Sequence, residues 1–268
     1  MQAQSQLSFD EYGDGIGSAA TVLRANATSS GLDAPVPTCP RWTVTDLVAH
    51  QGMVHRWAAD NLSRRDSSNP SVYGREGRES ADLLQWFDDG ATALLDVLSK
   101  TPQDWSGSFF LKNAANPRDG WARRQCHETT IHAVDAMAAR LGRVPTEAEV
   151  WFSPALAADG IDELVTGFLP RGRSTLRALQ PVTLELAATD TGDGWAVHLS
   201  DEPPVVARGP STDTHSPDAR WSGPARDLFL LLWNRVDDGD HRIQMEHVND
   251  AGADVARLWR ETMKVRWS

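Results

Sequence analysis

From Trp121 to Leu141 the chain runs with neither proline nor glycine, and Gly142 follows at once. Such a run reads as a helix, with the glycine as its C-cap. Within it, Glu128 and His132 are four residues apart, so they lie one above the other on one face. Arg124 and Asp135 fall close to Glu128 on that face. A carboxylate and an imidazole stacked this way offer two metal ligands and leave a third to come from elsewhere. The same spacing also fits an ordinary surface pair, with Arg124 one turn before Glu128 as its partner.

Composition narrows the class. The chain has 268 residues, 40% of them hydrophobic and 24% charged, as in a globular protein of one large or two ordinary domains. A net charge of −11 argues against nucleic acid and against an anionic membrane surface as partners. No apolar run is long enough to span a bilayer. Met1 to Gln6 has neither a basic start nor an apolar core, so no export signal is expected there. Two cysteines, Cys39 and Cys126, make no disulfide framework, and a reducing cytoplasm is the expected compartment. The eleven tryptophans are taken as packing and pocket walls.

In chain order, a first helix is expected over Phe9–Ala27, followed by an extended stretch through Pro35, Pro37 and Pro40. Thr43 and Asp46 have the spacing of a capping box and open a second helix. On it Leu47, His50, Met53, Val54 and Trp57 recur at helical spacing. His50 lies in the middle of that apolar face, whereas His55 lies off it and reads as solvated. A buried imidazole needs a partner, ordinarily a backbone group, and a metal is another kind of partner. Residues 63–79 are polar and read as a long loop. A third helix is expected over Ser80–Ser99. A second connection, Thr101–Asp119, carries Trp105, Phe109, Phe110 and Leu111 as a lid, a pocket wall or packing against the helices. The run beginning at Trp121 is then the fourth helix, and four such helices make a bundle.

After Pro145 the pattern changes. A linking helix is expected over Leu156–Phe168, then alternating strands at Val182–Leu186, Trp195–Leu199 and Pro204–Arg208. An apolar helix over Pro224–Val236, a short strand at Gln244–His247 and a closing helix over Ala251–Met263 complete a small α+β domain. The fold class is therefore α+β, divided as residues 1–150 (helix bundle) and 151–268 (α/β domain).

His127-Glu128-x-x-x-His132 is one residue longer than the His-Glu-x-x-His motif of zinc proteases, and on a helix its two histidines point about 140° apart. What remains is Glu128 and His132, with His50 as third ligand. Two imidazoles and a carboxylate suit Zn²⁺ with an open position, and also resemble a non-haem iron triad. Cys39 precedes a proline without a nearby base, and Cys126 lies on roughly the opposite face from Glu128. Neither has the setting of a nucleophile. Gly13-x-Gly15-x-Gly17 lacks the preceding strand of a dinucleotide site.

Three blocks carry a resemblance. They are Val36-Pro37-Thr38-Cys39-Pro40-x-Trp42-Thr43-Val44-x-Asp46-Leu47-Val48-Ala49-His50, then Arg124-x-x-His127-Glu128-Thr129-x-x-His132-Ala133-x-Asp135-Ala136, then Gly223-Pro224-Ala225-x-Asp227-Leu228-x-Leu230-x-Leu232-Trp233-x-Arg235. In this order the chain resembles the mycothiol-dependent maleylpyruvate isomerase family, within the wider DinB-like group of metal-binding four-helix bundles. The resemblance implies a divalent metal, usually zinc, held by His50, Glu128 and His132, and a C-terminal domain of sterol-carrier shape. Here that domain is extended around Asp201–Arg220. It also implies a low-molecular-weight thiol, mycothiol, as cosubstrate. Free thiols ionise near pH 8.5, and a metal deprotonates them outright. The thiolate then attacks an electrophilic small molecule as an S-transferase, or adds to and leaves a cis-enone acid as an isomerase. Arg124 and Arg235 are candidates for holding substrate or cofactor carboxylates. Asp135 is a candidate for orienting a ligand from behind. A helix C-terminus is an equal explanation of Arg235. Two other functions fit the same residues: thiol-independent metal hydrolysis, and a metal-stabilised binding module that catalyses nothing. A monomer or homodimer is expected.

Overall fold

The computed structural model describes residues 7–64, 69–111, 113–114, 116–209, 216–236 and 242–263. The expected absence of an export signal in residues 1–6 falls outside these, as does part of the extension at 201–220. Two compact units result, one over Leu7–Trp151 and one from Phe152 onward. The first is helical and the second holds a five-stranded mixed sheet with helices, which makes the fold α+β.

Helix starts in the first unit follow local chemistry. Helix α1 (Phe9–Ser30) opens on a capping box in which Ser8 and Glu11 bond reciprocally, and α2 (Val44–Leu62) opens on the expected Thr43/Asp46 box. The stretch expected as a loop over 63–79 contains a helix, α3 (Pro70–Glu79). Asn69 caps it and Pro70 occupies its first turn, where a missing N–H costs nothing. Its polar, Gly- and Arg-rich composition concealed it. Helix α4 (Leu83–Lys100) follows, capped by Asp82. The last, α5 (Pro117–Leu141), starts one turn before the expected Trp121, again at a proline, with Asn116 as N-cap. Gly142 ends it at φ 68°, the left-handed C-cap that glycine allows. The four expected helices are all present, with α3 added.

The core of this unit joins α1, α2, α4 and α5. Leu23, Val36, Leu47, Val48, Phe87, Ala133 and Ala136 are fully buried in one cluster. Each large side chain among them contributes about 1.5–3 kcal/mol by leaving water. The alanines Ala19, Ala133 and Ala136 keep that cluster thin where α1 lies along α5. Helix α3 is held by Trp86 of α4. A Cβ on Gly52 (α2) or Gly77 (α3) would strike the Trp86 indole, and Arg56 lies over the ring 3.7 Å from its centroid. The indole therefore fills a slot that only glycines leave open.

In the second unit, α6 (Pro154–Asp162) continues into a π-turn over Glu163–Phe168. The strands are β1 (Val182–Ala188), β2 (Gly194–Leu199), β3 (Val205–Arg208), β4 (Ala219–Gly223) and β5 (Gln244–His247), in the order β3-β2-β1-β4-β5. All pairs are antiparallel except β1 with β4. Strand β4 was not expected, because its alternation of Ala219, Trp221 and Gly223 is only five residues long. Helix α7 (Ala225–Leu232) is shorter than the expected 224–236, since Asn234 turns the chain at φ 56°. Helix α8 (Asp250–Thr262) packs Trp259 on Trp221 and donates its indole N–H to the Leu232 carbonyl. Asp162 ties the π-turn to the sheet, accepting from Trp195 Nε1 at 3.0 Å and from Arg208 at 2.6 and 2.7 Å. No helix among the described residues is long and apolar enough to cross a membrane.

The glycine slot is testable. Gly52→Ala forces the Trp86 indole from its place and is expected to cost about 1–3 kcal/mol, as overpacking does. Urea unfolding measures this, and a loss under about 0.5 kcal/mol, the range of ordinary surface changes, would mean that the indole is not wedged there.

Candidate metal centre

The site lies on α5, and its first property is burial. Every residue from Gly120 to Ala138 is buried, although many are polar or charged: Arg123, Arg124, Gln125, His127, Glu128, Thr129, Thr130, His132 and Asp135. Sequence spacing left an exposed surface pair open for Glu128 and His132, and the burial excludes it. Buried polar groups require partners, so the surroundings of α5 are dictated by its own sequence.

Helix α2 crosses this face and brings His50 to Glu128. His50 Nε2 lies 3.4 Å from Glu128 Oε1, and His132 Nε2 lies 3.3 Å from the same oxygen. The three donor atoms fall within 4.8 Å of one another, and among the described residues no other group of His, Cys, Asp or Glu converges this way. Separations near 3.3 Å are the edges of a tetrahedron with bonds of about 2.0 Å, the length of Zn–N and Zn–O bonds. The set therefore fits a divalent cation.

Each donor is turned by a neighbour. Arg124 Nη2 donates to Glu128 Oε2, which leaves Oε1 to face the imidazoles. His132 Nδ1 lies 2.9 Å from Asp135 Oδ2, so the carboxylate accepts Nδ1–H and leaves the Nε2 lone pair toward Glu128 and His50. Asp135 is itself held, since the Cys39 thiol donates to Oδ2 at 3.6 Å. Cys39 reaches it because residues 35–43 form a tight hairpin. Pro35 and Thr43 pair across it, Val36 N–H donates to the Trp42 carbonyl, and Trp42 N–H donates to the Cys39 carbonyl.

The same hairpin sets Trp42 over both imidazoles, with ring centroids 4.9 Å from His50 and 5.7 Å from His132. In the sequence Trp42 stands in the first block of the resemblance, just before the second helix, with no role of its own. Its place beside the capping box, where the chain enters the helix at a fixed angle, was the available signal. His50 and His132 keep 12% and 8% of their side chains exposed against 2% for Glu128, so the approach to the site is from the imidazole side.

Charge follows from this geometry. Burial works to raise the Glu128 pKa, but Arg124 and the two imidazoles outweigh it and hold the carboxyl well below its usual range. Burial works to lower that of His132, and its bonds to Asp135 and Glu128 outweigh it, so it rises. For His50 burial dominates and the pKa falls. Hence the ionised form of Glu128 is favoured, and burial favours the neutral form of His50.

One expectation is corrected, and the other candidate residues take the following places. His55, read as solvated, is fully buried: its Nε2 lies 2.9 Å from both Gln51 Nε2 and Thr129 Oγ1. Burial, with Arg56 nearby, lowers its pKa to about 3. It stands off the apolar stripe of α2 because α5, a polar helix, packs there. His127 lies edge-on to Tyr12 of α1. Phe109 and Phe110 pack on Trp121, and Phe110 also on Trp57. Arg235 belongs to the second unit, where its Nη1 donates to the Trp233 carbonyl at the end of α7.

The neutral His55 makes stability pH-dependent. Its folded pKa is lowered, so the unfolded chain binds the proton first, and stability is full above about pH 6.5 and falls toward about pH 3. Between pH 7 and pH 5 this one group costs about 2 kcal/mol. Chemical denaturation at the two pH values should show the wild type losing about that much more than His55→Gln, and equal losses would contradict the assignment.

Two family models match the chain: the mycothiol maleylpyruvate isomerase N-terminal domain over residues 16–137, and the MDMPI C-terminal domain over residues 155–256. Among solved structures, the chain is similar to the mycothiol-dependent maleylpyruvate isomerase and to a histidine-to-alanine mutant of it. The TM-scores are 0.58 and 0.60, at 14% identity in both cases, covering 92% of this chain and 96% of the other. That likeness is one of fold. No curated protein matches the sequence. With both of its domains matched in order, the chain belongs to the mycothiol maleylpyruvate isomerase family.

Proposed function

We propose that the chain is a zinc-dependent enzyme that activates a low-molecular-weight thiol, mycothiol in this family's name, for attack on an electrophilic small molecule. The observation that supports it most is the convergence of His50, Glu128 and His132 on one point. A divalent cation held there supplies a pKa drop for a thiol that otherwise ionises near pH 8.5. The chain's residues do the rest. Glu128, ionised by Arg124, balances the cation's charge. Asp135 holds the His132 ring in the tautomer with Nε2 unprotonated, and the Trp42 indole packs against both imidazoles, stacked on His132 and tilted over His50. The thiolate sulfur attacks the electrophilic carbon. Displacement of a leaving group gives a thioether. Addition to a cis-enone acid, rotation and loss of the same thiolate give the trans isomer.

In this proposal Arg124 acts through Glu128, since its guanidinium is fully buried against that carboxylate.

Thiol-independent hydrolysis uses the same three ligands, so the test must separate the two. Protein purified without chelators should carry close to one equivalent of metal, and His132→Ala should lose it, with turnover of an electrophile panel requiring added thiol. Less than about a tenth of an equivalent in the wild type sinks the metal reading. Full metal with turnover in the absence of thiol sinks the thiol reading and leaves hydrolysis.

A further inference from the structure

Of the two cysteines, Cys126 is buried within α5 and Cys39 is half-buried on the hairpin. The backbone at Cys39 is held on both sides. Pro37 and Pro40 fix their own φ angles, Cys39 N–H donates to the Val36 carbonyl at 3.0 Å, and the Cys39 carbonyl accepts from Trp42 N–H at 2.8 Å. The sulfur therefore leaves a rigid turn and has a set place.

That place is beside Asp135, 96 residues further along the chain. The thiol donates to Asp135 Oδ2 at 3.6 Å, and His132 Nδ1–H donates to the same oxygen at 2.9 Å. Asp135 is fully buried. A carboxylate shut away from water is oriented by the donors around it, and the loss of one lets it turn toward the others. Such a turn moves the acceptor of Nδ1–H, and with it the ring whose Nε2 lies 3.3 Å from Glu128 Oε1. Metal sites tolerate errors of only about 0.2 Å in donor placement, so a small rotation of His132 registers in affinity. Sulfur suits the gap. An O–H···O bond spans about 2.5–3.0 Å, and a serine hydroxyl on this backbone, with its shorter bond to Cβ, stops short of that range. A thiol reaches Oδ2 as a weak donor.

We propose that Cys39 is a positioning residue of the metal centre: its thiol hydrogen fixes Asp135, and Asp135 fixes the His132 ring for the cation. This rests on the metal reading given above and adds a residue outside the ligand set. The chain's own half-buried thiol serves here as a hydrogen-bond donor to the support of a ligand.

Zinc affinity, measured by competition with a chromophoric chelator, tests this in the wild type, Cys39→Ala, Cys39→Val, Asp135→Ala and the double variant Cys39→Ala/Asp135→Ala. Cys39→Ala is expected to weaken zinc about fivefold, less than the roughly 10–100-fold that loss of a ligand's direct partner costs. Cys39→Val, which restores bulk without a donor, is expected to match it. In the Asp135→Ala background the change at Cys39 should alter affinity by less than about twofold, because the coupling runs through that carboxylate. With Co²⁺ in place of zinc, the visible absorption band should shift between wild type and Cys39→Ala and coincide in the two proteins that lack Asp135. Asp135→Leu, which also lacks an acceptor, replaces Asp135→Ala if that variant does not fold. Unchanged affinity in Cys39→Ala, an equal loss in both backgrounds, or wild-type affinity in Cys39→Val overturns the proposal and leaves Cys39 as a packing residue of the hairpin. If the wild type takes up no zinc, the metal reading itself fails and this inference falls with it.

Discussion

A carboxylate buried on a polar helix governs the first unit. Glu128 is 2% exposed and ionised, and an isolated charge in that position would cost several kcal/mol. Arg124, His50 and His132 all point at it, and Asp135 and Cys39 stand behind His132. Helix α5 as a whole repeats this condition. It is buried from Gly120 to Ala138 with too few apolar residues to be held by hydrophobic contact alone. The polar partners on α2 and on the 35–43 hairpin are therefore a requirement of burying α5. The candidate metal site is one product of meeting it.

The parts that meet this requirement are positioned by short-range chemistry. The Thr43/Asp46 box fixes where α2 begins, and His50 follows two turns later on the face toward α5. The hairpin before it is closed by backbone bonds from Val36, Cys39 and Trp42. The same few residues place a thiol behind Asp135 and an indole over the imidazoles. Trp86, slotted between Gly52 and Gly77, locks α3 and α4 on the far side of α2. Rigid elements on both sides of α2 suit a site whose donors must hold their separations to a few tenths of an ångström.

Much of this was legible in residue order. Capping boxes and proline-opened helices announce themselves, and α3 carries the same start at Asn69-Pro70 beneath a polar, Gly- and Arg-rich composition that otherwise reads as loop. His50, Glu128 and His132 could be picked out by helical spacing and by resemblance, and the structure brings their donor atoms together. The placement of His55 could not be read, because the apolar stripe of α2 marks only part of its buried surface. Helices α3, α4 and α5 all pack on α2, and α5 meets His55 with Thr129 rather than with an apolar side chain. Strand β4 was hidden for a related reason. Five residues alternate too briefly to register, and its parallel partner β1 lies far back in the chain.

By itself, then, the sequence determined the α+β class, most of the helices and strands and the helix starts, since each is written in periodicity or caps within a few turns, and it picked out His50, Glu128 and His132 as candidate donors only together with the family resemblance. Only the tertiary structure decided that α5 is buried, that Trp42 covers the imidazoles and that Cys39 supports Asp135. Those depend on which groups from distant parts of the chain share a low-dielectric interior. There a polar atom is either paired or costly, and no local pattern records which.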